Sequence, residues 1–233
     1  MSVNIPTLSP EQTDRARAVC EHVYEISDRI AARFMADFER LQQDDPEAIG
    51  DKRWGFTEQT GAVNFERGPI KYALHARKHM PLKLRYLPYL TDIRRAFDIG
   101  VGTAQMFMLL RDALRIEVSG LDAPEAEGSL IYKEFREALG ITGDVGMFKV
   151  AAGVDVPIPA DSAVLALWPV FDRGWGMEEH AWFMDMCARR GAERVVWRFN
   201  MLNAPEPILT FYRERMGAVA PRENDPGFLI VRL

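Results

Sequence analysis

The spacing of apolar residues divides the chain into an amino-terminal part with helical period and a carboxy-terminal part where short apolar runs alternate with helical stretches. Ser9-Pro10-Glu11-Gln12 starts a helix, with serine as N-cap, proline at the first helical position and glutamine where a capping box places its acceptor. Val19, Val23, Ile26, Ile30, Phe34, Phe38 and Leu41 follow at three- and four-residue steps. With Arg17, Glu21, Glu25, Asp28 and Arg29 opposite, they predict one amphipathic helix to about residue 41. Its stripe is buried against the body of the chain, under a lid arrangement, or in a homodimer. Asp44-Asp45-Pro46 closes the helix, and residues 49–68 carry Gly50, Gly55, Gly61 and Gly68 with Trp54, Phe56 and Phe65 among polar positions, which predicts loops. Between 70 and 89, Lys71, His75, Arg77, Lys78, His79, Lys83 and Arg85 are interleaved with Tyr72, Tyr86 and Tyr89. Such a charge run is first a solvated helix face and second a surface for an anionic molecule.

From residue 95 the pattern becomes strand–helix alternation. Strands are predicted at 96–99, 117–122, 145–150, 163–169 and 194–200, with helices at 105–114, 129–139, 178–190 and 207–216 between and after them. Ala163 to Pro169 is apolar without interruption, as expected of a central parallel strand buried on both faces. Two further strands, 218–221 and 227–233, flank the turn-rich Glu223-Asn224-Asp225-Pro226-Gly227. The expected fold is α/β: a seven-stranded, mostly parallel, doubly wound sheet with an antiparallel terminal strand pair, plus an amino-terminal helical appendage. Residues 1–94 would form the appendage or lid and 95–233 the Rossmann-like domain.

Composition narrows the classes. The 233 residues are 48% hydrophobic, enough for one large α/β core. A net charge of −5, from 34 acids and 29 bases, gives no broad basic field, so no nucleic-acid partner is expected. Cys20 and Cys187 stand far apart with no Cys/His cluster, which indicates neither a disulfide framework nor zinc. Met1 to Pro6 lacks the basic and apolar regions of a leader, and no apolar run approaches the ~18 residues of a span. A cytoplasmic protein with no membrane partner is expected.

The candidate chemistry lies at Asp98-Ile99-Gly100-Val101-Gly102-Thr103-Ala104, where a strand runs through a glycine turn into a helix. Gly100 and Gly102 allow positive φ and close approach of a ligand to a helix N-terminus. Asp98 repels a pyrophosphate and suits an ammonium group. The segment resembles motif I of the class I S-adenosylmethionine-dependent methyltransferases, with Ala104 at the third glycine. The dehydrogenase fingerprint fits less well, because Gln105 stands at its third glycine. Asp122, ending the second strand, falls where the family's carboxylate accepts from the ribose hydroxyls, with Ala123 beside it. Ala151 to Pro159 resembles the adenine loop, but Ala152 replaces the family's Asp, so Gly153 and Val154 backbone or the Asp155 side chain would take its place. The resemblance covers residues 95–233.

The resemblance implies S-adenosylmethionine as cofactor and transfer of its methyl group to a nucleophile. The protein would align the reactants and, where necessary, remove a proton. His180 is the candidate base, with His75, His79, Asp172 and Glu179 behind it. Trp168, Pro169, Phe171 and Asp172, at the end of the fourth strand, would border the transfer site. Asp172 and Asn200 only thinly imitate the acids of metal-dependent relatives, so no metal is expected. The Asn/Asp-Pro-Pro-Tyr/Phe motif is absent where Leu167-Trp168-Pro169-Val170-Phe171 stands, which leaves a small-molecule acceptor. A methyltransferase-like binding or scaffold protein without turnover and an NAD-dependent oxidoreductase remain as alternatives. Trp54 or Phe56 would wall the acceptor pocket if the appendage is a lid.

Overall fold

A computed structural model describes residues 6–45, 56–57, 62–63, 65, 70–124, 130–169, 171–199, 206–220 and 224–233. Helix α1, Pro10–Asp44, begins as its sequence dictates: Ser9 Oγ accepts from the Gln12 N–H at 3.2 Å, and Gln12 Oε1 accepts from the Ser9 N–H at 2.9 Å. Val19, Val23, Ile26 and Ile30 of the predicted stripe are buried in the core, and Phe34 and Phe38 meet Phe65 edge-on. Each buried Val or Ile contributes ~1.5–3 kcal/mol, against ~0.2–1 for an exposed ion pair such as Arg77–Asp28, so apolar contact decides where α1 lies. The amino-terminal half of the stripe is thus covered from within the chain. Among the described residues no helix is long and apolar enough to cross a membrane.

Beyond a short antiparallel pair, β1 (Phe56–Thr57) with β2 (Ala62–Val63), come two short helices, α2 (Lys71–Leu74) and α3 (Ala76–Leu84). The main sheet is built from β3 (Arg95–Ile99), β4 (Glu117–Asp122), β5 (Val145–Met147), β6 (Ala163–Leu167), β7 (Arg194–Arg198) and β8 (Phe228–Arg232). Its order is β5-β4-β3-β6-β7-β8, parallel except for β8, which pairs antiparallel with β7. Among the described residues the sheet therefore has six strands, not seven. The expected strand at 218–221 shrinks to one bridge, Val219 with Ile230, held by two hydrogen bonds of 2.9 Å. Pro221 follows and has no N–H to extend the ladder.

The sheet sorts its side chains with period two. Ala96, Ala163, Leu165, Val196 and Phe228 join the core beneath α1, α2, α3, α4 (Gln105–Met108) and α5 (Leu130–Ala138). Phe97, Ile99, Val164, Ala166, Val195, Trp197, Leu229 and Val231 join the opposite core, beneath α6 (Met177–Arg189) and α7 (Glu206–Thr210). Both α4 and α7 widen into a π-helical turn, at Leu109–Ala113 and Phe211–Arg215. The strand order reverses between β3 and β6, and in such a sheet the crevice beyond the strand ends at that point is the place for a ligand.

Candidate functional site

The turn after β3 is fixed by three positive φ angles: Gly100 at 89°, Gly102 at 55° and Ala104 at 58°. At Gly100 an added Cβ would meet nothing, so the ligand side of the turn is open. On the sheet side there is no room: a Cβ on Gly120 would lie 2.6 Å from both the Asp98 carbonyl oxygen and Val101 Cγ2. This contact, with the Gly100 N–H donating to the Leu121 carbonyl at 2.8 Å, presses the glycine turn onto β4.

A cavity of about 830 Å³ opens above the turn. Pockets for drug-sized ligands run from ~300 to ~1,000 Å³, so there is room for a nucleoside cofactor beside a small second molecule. Its floor includes Asp98, Gly100, Gly102, Gln105, Asp122 and Ala123, and its walls Tyr132, Phe148, Trp168 and Phe171. Its cover is one face of α2 and α3: Lys71, His75, Lys78 and Leu82, with Tyr72, His79 and Lys83 alongside. Those intervals of three and four residues are a helical face, so one side of the run borders the cavity while Lys78 stays exposed. Arg77 faces away and pairs with Asp28 of α1 at 2.8 Å.

Asp98 is 4% exposed, and burial pushes its carboxyl up to about 7; Lys83 opposes this and Asp122 adds to it. Lys83 is pushed down to about 8 by burial, with Asp98 pulling the other way. Its Nζ stands 4.8 Å from the centre of the Trp168 ring. The floor thus presents a carboxylate whose charge is costly to an amine of the cover with a pKa of about 8. Gln105 is 1% exposed, and its Oε1 has no hydrogen-bond partner among the described residues although the side chain lines the cavity. An unmet acceptor beside a costly carboxylate suits a ligand carrying an ammonium group.

Asp122 is more engaged than its sequence position suggests. Its carboxylate accepts from the Gly102 N–H at 2.9 Å, the Ala123 N–H at 3.1 Å and buried Arg136 Nη1 at 3.3 Å. Burial raises its pKa, and these three donors lower it. A carboxylate has about four acceptor sites, so a vicinal diol with two donors would have to loosen one contact, and the Arg136 bond is the longest.

Trp168 follows β6 with φ at 55°, a conformation costly for a bulky residue at a cavity wall. Its N–H donates to the Arg198 carbonyl at 2.8 Å, and its ring meets Tyr86 edge-on at 5.6 Å. Arg198 Nε lies 3.0 Å from both Tyr86 Oη and Asp225 Oδ2, and the Tyr86 hydroxyl donates to Asp225 at 2.5 Å. This triad braces the strained residue from β7, from the turn before β8 and from the segment after α3.

Of the residues singled out in the sequence, Asp98, Gly100, Gly102, Asp122, Ala123, Trp168, His75 and His79 line the cavity. Gly153 and Val154 do not; Val154 is 40% exposed, and Asp155 pairs with Arg190. The segment that does reach the cavity from that side is Phe148 to Val150. The expected base His180 is also not there. It is 2% exposed, boxed by Trp175, Trp197, Phe199 and Tyr212, with Nδ1 3.1 Å from Tyr212 Oη, and burial pushes it down to about 4. Phe183 and Met184, three and four residues on in α6, are buried, so position 180 shares the core face of the helix. Glu179 caps α6, accepting from the Gly176 N–H at 2.9 Å. Asp172 does not line the cavity, and burial raises its pKa. Trp54 and Asn200 lie outside the described residues, as does the side chain of Phe56. Gln105 and Tyr132 were not singled out as cavity residues, nor was Arg136 as the partner of Asp122, and Lys83 was named only within the basic run. The signal for Lys83 was its helical spacing from Tyr72 and His79.

No protein-family profile matches the sequence, and no curated protein does. Among solved structures, the chain is similar to the apo form of the S-adenosylmethionine-dependent methyltransferase SibL, at 18% identity and a TM-score of 0.47. That match covers 72% of this chain and 57% of the other. It is also similar to a proposed sarcosine dimethylglycine methyltransferase from Galdieria sulphuraria, at 11% identity and a TM-score of 0.36, covering 69% and 59%. The chain thus spans less than three fifths of the length of either neighbour.

Proposed function

We propose that this chain binds S-adenosylmethionine and transfers its methyl group to a small-molecule acceptor. The observation that carries the proposal is the convergence of Asp98, the positive-φ Gly100 and Gly102, and Asp122 on the floor of one cavity at the reversal of strand order. When bound, the cofactor supplies a methyl carbon already activated by its sulfonium. The chain's residues then have three tasks. Asp98 and the free Gln105 Oε1 hold an ammonium group, while the open turn at Gly100 admits backbone contact. Tyr132, Phe148, Trp168 and Phe171 exclude water from the transfer point. Lys83 Nζ, with a pKa near 8, can take a proton from the acceptor's nucleophile at neutral pH, the task first given to His180.

The test is thermal denaturation with S-adenosylhomocysteine and, separately, NAD(H). Ligand at 100 times its Kd should add ~2.7 kcal/mol and raise Tm by several degrees. Stabilisation by NAD(H) alone would replace the proposal with the oxidoreductase reading. The Asp122–Arg136 pair favours one other reading, a binding protein without turnover, because it occupies the carboxylate a ribose needs. Stabilisation by S-adenosylhomocysteine without transfer to any acceptor offered would mark that case.

A further inference from the structure

We propose that Gln105 is a positioning residue that ties the cofactor to the cover: with Oε1 on the cofactor's ammonium group, its Nε2 holds the Tyr72 carbonyl and so fixes α2 over the cavity. The proposal rests on the methyl-transfer reading and gives a further role to a residue of the same site. Gln105 opens α4 and is 1% exposed, and the two ends of its amide differ. Nε2 donates to the Tyr72 carbonyl oxygen at 3.4 Å, while Oε1 is buried with no partner among the described residues. The amide cannot be reversed, because that would set its oxygen against the Tyr72 carbonyl, two acceptors with no proton between them. Donation to Tyr72 therefore decides which end of the amide is left for a ligand in the cavity that Gln105 lines. Because Oε1 is covered, a ligand reaches it only if the amide turns, and the bond to Tyr72 makes α2 turn with it.

Two effects carry the coupling. An acceptor buried without a partner is costly, and a cation brought to Oε1 removes that cost. Positive charge at the oxygen also polarises the amide, which strengthens donation from Nε2 by roughly 10–30%. At 3.4 Å that bond is at the long end for N–H···O and has room to tighten. What tightens is a wall of the cavity. Tyr72 lines it from α2, with its ring 5.5 Å from His79 of α3 and 6.4 Å from Tyr132 of α5. Helix α2 runs only four residues and begins at Ile70 with no side-chain cap, so it takes its place from its neighbours and not from its own helical stability. A hydrogen bond from α4 then adds to the hold of α1 and α3. The order that follows is cofactor first and acceptor second, because the wall is set once the ammonium group is seated.

Amide hydrogen exchange along α2 reads the coupling, with α6 on the far side of the sheet as reference. Wild type is compared with S-adenosylhomocysteine and with methylthioadenosine, which keeps the nucleoside and lacks the amino-acid part. Each ligand is held at the same multiple of its own Kd, so stabilisation by mass action is equal and a difference between them is local. S-adenosylhomocysteine should slow exchange in α2 about three- to tenfold more than methylthioadenosine does, the effect of one hydrogen bond of ordinary net worth. Exchange in α6 should not distinguish the two ligands. Gln105→Met keeps the length of the side chain and loses both polar atoms. At the same multiple of its own Kd, S-adenosylhomocysteine should slow α2 in this variant no more than it slows α6. Equal slowing of α2 by both ligands in wild type, or an effect of S-adenosylhomocysteine that survives Gln105→Met, overturns the positioning role while methyl transfer stands. If S-adenosylhomocysteine does not bind wild type, methyl transfer falls and the coupling falls with it.

Discussion

His180 should make the protein acid-sensitive through stability and not through catalysis. The ring is 2% exposed among four aromatic side chains, and burial holds its pKa at about 4 instead of the ordinary 6.5. In the unfolded chain it takes up a proton as pH falls through ~6.5, while in the folded chain it resists until ~4. A lowered folded-state pKa gives stability that is present at high pH and lost as pH falls through this window. From the two values the loss is roughly 2 kcal/mol by about pH 5 and roughly 3 by about pH 4. Asp98 works in the opposite sense: its carboxyl, raised to about 7, contributes stability at low pH that is lost as pH rises from ~4 to ~7. The wild-type profile alone would therefore blur the two effects. Urea denaturation of wild type and His180→Gln at intervals from pH 4 to 7.5 separates them, because Gln keeps a hydrogen-bonding group near Tyr212 without titrating. The difference should grow in favour of the variant by roughly 2–3 kcal/mol toward the acid end. A difference flat to within about 0.5 kcal/mol, or an imidazole of the folded protein assigned to His180 and titrating near 6.5, would refute the reasoning.

Two other substitutions probe the floor. Gly120→Ala places a methyl 2.6 Å from the Asp98 carbonyl and Val101, so about 1–3 kcal/mol of stability should be lost in thermal denaturation, together with S-adenosylhomocysteine binding, as the turn is pushed away. An unchanged Tm would show that β3 and β4 separate freely there. Asp122→Ala leaves Arg136 buried without its partner and should cost about 3–5 kcal/mol by urea denaturation, more than the loss of ribose contacts alone would suggest. A variant as stable as wild type would mean that Arg136 finds water, and the pair is incidental.

Period and punctuation made the fold legible. The α1 stripe, the capping box and the continuous β6 run each have a local cause, and each appears where local chemistry puts it. The glycine turn was legible for the same reason, and Ala104 even keeps the left-handed conformation that glycine favours there. What sequence could not supply was direction. The charge pattern at 71–83 has the same period whether it faces water or a cavity, and only the packing of α2 and α3 against α1 sets part of it beside the cavity. The same limit applies to His180, whose position after β6 suits a base but whose helix face belongs to the core. Asp122 was found by position, but its hold on Arg136 joins β4 to α5 across 14 residues and is a tertiary matter.

The lysines beside the cavity also shape how molecules arrive. A chain with a formal charge of −5 repels anions on average, yet Lys71, Lys78 and Lys83 stand on one side of the cavity and attract them there. Such a charge distribution forms a funnel: an anion drifting past is turned toward the opening before it touches the surface, and encounter there is faster than over the rest of the molecule. Salt shortens the reach of that field to ~8–10 Å at physiological strength, so guidance acts only over the last molecular diameter of the approach. Capture of an anionic molecule would then slow with rising salt even where its final grip on the site barely changed.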